Sequence, residues 1–189
     1  MDLRELKELI NRFSNEYNIN PINALTLDNY KPNQSSIILI LKEGTHQGHY
    51  VLYLQGDNPL FVDPYGNYPY FLFRKYPEIA YNVEKIKELF TDLLNDPNIQ
   101  INTSKVQTYS GLCGPLCLIF YILYEKGLIL DNINTCFKRF QEIYKMTVED
   151  YMQKMVNTGT TFYISIRQTI NNLFNIYKRL NKNNIINHL

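Results

Sequence analysis

The chain has 189 residues, and its 19 Lys and Arg against 18 Asp and Glu leave a net charge of +1, so no global field draws it to nucleic acid or an anionic membrane. Hydrophobic residues at 45 % and charged residues at 20 % fit one ordinary globular domain, expected over 1–189, with a core large enough to need no disulfides or structural metal. Three cysteines, Cys113, Cys117 and Cys136, cannot all pair and form no C-x-x-C or Cys/His spacing, which excludes a disulfide framework and fits a reducing compartment.

The first residues are charged and amphipathic, unlike a secretory signal, and Leu3, Leu6, Ile10 and Phe13 recur at helical spacing behind Asp2, an N-cap type. A helix is expected there, ending before Asn20-Pro21. After a polar, turn-rich stretch, Ser36–Leu41 is a β-branched run of the kind buried on both faces inside a sheet. Tyr50–Leu54 and Leu60–Val62 flank Gln55-Gly56-Asp57-Asn58-Pro59, whose residues carry turn chemistry, so a β-hairpin is expected.

From Asn82 to Leu94 the pattern is helical and stops near Asn95-Asp96-Pro97; Ile99–Ile101 then alternates like a strand. Gly114–Tyr124 is apolar on every side, with Pro115 suited to a first turn and Gly127 to a C-terminal cap, which describes an enclosed central helix. The run Leu116–Leu123 stops at Glu125-Lys126, too short to span a membrane. Thr147–Asp150 resembles a capping box opening a helix through Met155, Ile164–Leu180 is amphipathic, and Asn181–Asn184 forms a polar tail.

Within this frame a nucleophile can be sought among the cysteines. A thiol reacts as thiolate, and its pKa of about 8.5 falls beside an imidazolium or at a helix N-terminus. Cys113 stands immediately before Gly114-Pro115 at such a terminus. Of the histidines, His46 lies in a loop with no opposing acid and His188 at the far end, whereas His49 opens the hairpin. A register pairing Leu54 with Pro59 would set His49 and Tyr50 opposite Asp63 and Pro64, so that a carboxylate orients the imidazole. Gln107, six residues before Cys113, is the candidate amide donor to an oxyanion. Cys117 and Cys136 read as small core residues, and the aromatic run Tyr68–Phe73 as core or the wall of a substrate groove.

Taken together, Gly48-His49-Tyr50, Phe61–Gly66, Val106-Gln107 and Cys113-Gly114 resemble the adenovirus maturation (adenain-like) protease family, with SUMO-specific proteases sharing the His…Asp…Gln…Cys-Gly order. The small, Asn/Ile-rich form is similar to the capsid-maturation proteases of virophages and Polinton-type elements. The resemblance covers about Gly44 to Gly127 and implies an α+β, papain-like/adenain-like fold, with a central mixed sheet packed on a buried nucleophile helix and flanking helices.

It also implies a cysteine endopeptidase acting on viral capsid or other virion precursors, with Cys113, His49, Asp63 and Gln107 as nucleophile, base, orienting acid and oxyanion donor. Neither metal nor organic cofactor is implied. A monomer in the host-cell cytoplasm, at virus factories, and in the virion is expected, with no membrane partner; activation by DNA or a peptide stays open. Two departures stand out: Tyr50 replaces the family's usual Trp, and no cysteine precedes Cys113 to tether a peptide cofactor. The alternatives are an isopeptidase acting on SUMO or ubiquitin-like modifiers, and a noncatalytic capsid or nucleic-acid binding module of the same fold.

Overall fold

A computed structural model describes residues 1–41, 48–67, 83–109 and 111–186. The protein is α+β, and its described residues form a five-stranded mixed sheet and six α-helices that pack as two compact units, Met1–Leu118 and Ile119–Leu189. His46, His188 and the Tyr68–Phe73 run lie outside the described residues.

The first unit begins with α1 (Leu3–Tyr17), where Asp2 accepts from the Glu5 N–H at 2.8 Å while the Glu5 carboxylate accepts from the Asp2 N–H at 2.9 Å, closing a capping box. Its stripe Leu6, Ile10 and Phe13 is buried, and Asn18 ends it in the left-handed conformation that a short polar side chain tolerates. There follow β1 (Asn23–Thr26), a 3-10 turn (Leu27–Asn29), β2 (Ser36–Leu41), β3 (Gly48–Leu54), β4 (Leu60–Val62), α2 (Val83–Asn95), β5 (Gln100–Asn102) and the start of α3 (Cys113–Glu125). The strands lie in the order β1-β2-β3-β4-β5, with the two outer pairs parallel and the two inner pairs antiparallel.

As its unbroken apolar run requires, β2 lies inside the sheet and is buried on both faces. One face, with Ile38, Ile40, Val51, Tyr53 and Phe61, packs against Ile86, Leu89, Phe90 and Leu93 of α2. Ile37, Leu39, Leu52, Leu54, Leu60 and Val62 of the opposite face are buried as well. β1 comes from the stretch that reads as polar and turn-rich. It is four residues long with only Ala24 buried, too short to show alternation, and its pairing with Ser36–Leu39 makes it a strand.

The second unit contains the end of α3, then α4 (Leu130–Tyr144), α5 (Val148–Asn157) and α6 (Phe162–Ile186). No expectation from sequence covers α4, although Leu130, Ile133, Phe137 and Phe140 recur at helical spacing; its N-cap, Ile129, has no side-chain acceptor to announce the start. Thr147 caps α5 by accepting from the Asp150 N–H at 3.0 Å. Ile133, Phe140, Met152, Ile166, Ile170 and Leu173 are buried, and Phe140, Tyr144 and Tyr151 form an aromatic cluster. Asn181–Asn184 continues α6 instead of forming a tail, since each residue added to an existing helix closes another backbone bond. Among the described residues no helix is long and apolar enough to cross a membrane.

Candidate active site

The β3–β4 hairpin supplies the first two candidate residues, in a register one step from the sequence expectation. Leu54 pairs with Leu60, not Pro59. Pro59 has no N–H to give a ladder, and its carbonyl instead accepts from the Gln100 N–H at 2.8 Å. A one-residue slip changes which side chains share a face. Continued past Leu52–Val62, the observed register sets Asp63 beside Val51, so that His49 and Asp63 lie diagonally on one face. The His49 side chain closes the diagonal: its Nε2 lies 2.6 Å from Asp63 Oδ1, with Asp63 fully buried and only 6 % of His49 exposed. Against an ionised carboxylate Nε2–H is the donor, which leaves Nδ1 as the nitrogen for a second partner.

The ring also hydrogen-bonds the thiol of Cys113, the first residue of α3. α3 begins there because the Leu112 carbonyl accepts from the Leu116 N–H at 2.9 Å, while Pro115 in the first turn has no N–H to leave unpaired. β4 stops at Val62, so the Tyr50 peptide of β3 lies beyond the last pair of the β3–β4 ladder. Its N–H hydrogen-bonds the Cys113 sulfur, and its carbonyl accepts from the Cys117 thiol at 3.5 Å. Gly114 keeps this junction tight. A Cβ there would lie 3.2 Å from the Tyr50 ring and 3.5 Å from the sulfur of Met1.

Electrostatics follow the contacts. Burial acts against an imidazolium at His49, but the hydrogen bonds and negative charges of Asp63 and Cys113 outweigh it and raise the ring to about 9. At Cys113 burial opposes the thiolate, yet the bond and charge of His49, with the N–H groups of Tyr50 and Gly114, lower the pKa below the ordinary thiol value. The two titrate as a pair and favour thiolate with imidazolium between the lowered thiol value and about 9. Cys117 differs: burial first, then the charges of Cys113 and Asp63, push its thiol far up, and burial raises Cys136 to about 11. Both are packing residues.

Gln107 reaches the group by another route. The Pro64 carbonyl accepts from the N–H groups of Val106 and Gln107, each at 2.9 Å, tying the segment before Cys113 to the turn after Asp63. The Gln107 side chain is fully buried; its Nε2 donates to the Tyr109 carbonyl at 2.6 Å, and its Oε1 has no hydrogen-bond partner. One amide hydrogen is held by Tyr109, and among the described residues the second has no acceptor. Among the described residues no hydrogen bond joins Gln107 to Cys113, His49 or Asp63; the shared Pro64–Gly66 turn connects them. Gly66 is essential to that turn, because its φ is +72° and a Cβ would come within 2.7 Å of the Lys105 nitrogen.

Two site neighbours carry no signal in the sequence. Tyr65 stacks on the His49 ring with centroids 4.7 Å apart and gives its backbone N–H to Asp63 Oδ1 at 3.0 Å, and Asn67 Nδ2 donates to Asp63 Oδ2 at 2.9 Å. Asp63-Pro64-Tyr65-Gly66 reads only as a turn until the hairpin register is known. Among the described residues no cluster of three His, Cys, Asp or Glu side chains could hold a metal ion. Comparisons of the chain with protein-family models, curated proteins and solved structures find no match.

Proposed function

We propose that this chain is a cysteine endopeptidase of the adenovirus-maturation type, with a papain-like/adenain-like fold, that processes capsid or other virion precursor proteins during particle maturation. The observation that carries the reading is a buried His49 ring whose Nε2 is held by Asp63 and which also hydrogen-bonds a thiol at a helix start. A buried His–Asp pair alone can be structural; a thiol whose pKa is lowered by its bond to the same ring is the arrangement of an activated nucleophile.

In this reading the Cys113 thiolate attacks a peptide carbonyl, forming an S–C bond while the carbonyl π electrons move to oxygen. The oxyanion is met by the side-chain amide of Gln107 and the Cys113 backbone N–H. His49 gives its Nδ1 proton to the departing amine as the C–N bond breaks, leaving a thioester. Water, losing its proton to the same nitrogen, then releases the acid and the thiol. Asp63 keeps the ring in the orientation that serves both halves. No step requires a metal or organic cofactor, and the proposed setting is a monomer in the virus factory and virion.

The test is mass spectrometry of virion precursor proteins incubated with the protein. New termini at defined peptide bonds are expected, absent when Cys113 is alkylated beforehand. No cleavage of precursors, with turnover only of ubiquitin-like conjugates, would replace the endopeptidase reading by an isopeptidase one.

A further inference from the structure

We propose that Asn67 is a positioning residue of the triad, fixing through its side-chain amide the one oxygen of Asp63 that His49 does not use. The proposal rests on the reading of Cys113, His49 and Asp63 as a catalytic triad and deepens it.

A carboxylate rotates about a broad, two-fold terminal torsion, so one hydrogen bond to an imidazole does not hold its plane. Asp63 Oδ1 accepts from His49 Nε2 at 2.6 Å and from the Tyr65 N–H at 3.0 Å, while Oδ2 accepts from Asn67 Nδ2 at 2.9 Å. With the half-buried Asn67 in place Asp63 is fully buried, so the amide and not bulk water meets Oδ2. Asn67 is itself placed by the turn in which the Asp63 carbonyl accepts from the Gly66 N–H at 2.8 Å, and the Pro64 carbonyl fastens that turn to the backbone of Gln107. Losing the amide frees the carboxylate to swing out of the ring's plane and weakens the anion that sustains the imidazolium. The titratable groups facing this site among the described residues are His49, Asp63 and Cys113, with Tyr65 stacked on the His49 ring, Tyr50 and Cys117 beside Cys113, and Asp2 and Glu5 of α1 beyond Tyr50.

The experiment is the pH dependence of Cys113 alkylation by iodoacetamide in the full chain, with the modified residue identified by mass spectrometry, for the unaltered protein and for Asn67→Ala. The unaltered protein should show a reactive plateau whose upper limb lies near pH 9. In Asn67→Ala that limb should move down by about one pH unit, and the plateau should narrow. Should Asn67→Ala fail to melt cooperatively, Asn67→Ser, whose hydroxyl stops short of Oδ2, should show the same narrowing. A folded variant with an unchanged profile overturns the positioning role. An unaltered protein without any plateau overturns the triad itself, and the two failures are thereby separate.

Discussion

Replacing Cys113 with alanine is expected to remove proteolysis by a factor of roughly 10⁶, the scale on which loss of a nucleophile leaves only binding and oxyanion donors. The fold should survive, since the change removes one sulfur from a side chain already packed at the start of α3. The paired controls are sharper than the loss itself. Cys117→Ser and Cys136→Ser should keep activity, because the first thiol is committed to the Tyr50 carbonyl and the second is held protonated by burial. Rates of precursor cleavage by the three purified variants check this; substantial activity in Cys113→Ala would remove the mechanism.

The next largest effect is expected at Asp63. All three of its hydrogen-bond partners, His49 Nε2, the Tyr65 N–H and Asn67 Nδ2, are donors, so an amide in place of the carboxylate presents a donor where an acceptor is required. It also removes the charge that offsets the burial of His49. Asp63→Asn should therefore lower kcat by about 10²- to 10⁴-fold, the range of a misdirected general base. Its alkaline limb should fall from near 9, because only the bond and charge of Cys113 are then left to offset burial.

The sign of the stability change follows from the same shifts. A folded His49 pKa raised above its unfolded value contributes stability that is full below about 6.5 and lost as pH rises through about 9. The lowered Cys113 pKa contributes stability present above the ordinary thiol range and lost as pH falls through the lowered value. Melting temperature in the unaltered protein should thus decline on the alkaline side, and in Asp63→Asn that decline should be weaker and set in at lower pH.

Much of the frame was legible because local chemistry and global packing agree. Asp2 and Glu5 mark the start of α1, the β-branched run of β2 marks a central strand, and the apolar Leu116–Leu123 marks an enclosed helix. The candidate residues were legible for a different reason: His49, Asp63 and Cys113 are chemistry-bearing side chains at the ends of elements, where strands and helices stop covering them. Their mutual geometry was not. The hairpin register depends on Pro59 lacking an N–H and on Gln100 arriving from β5, which no local pattern in Gln55–Pro59 records. The roles of Tyr65 and Asn67 follow from that register, and the hold on Gln107 follows from the Pro64 carbonyl and the Tyr109 backbone.

Thiolate absorbance of the folded protein as a function of pH, taken as the difference from Cys113→Ala, tests the paired sulfur and imidazole most directly. The thiolate signal should rise below the ordinary thiol range and show a second step near pH 9 as His49 loses its proton. A single transition at about 8.5, the value of a free thiol, unchanged in His49→Ala, would contradict the account.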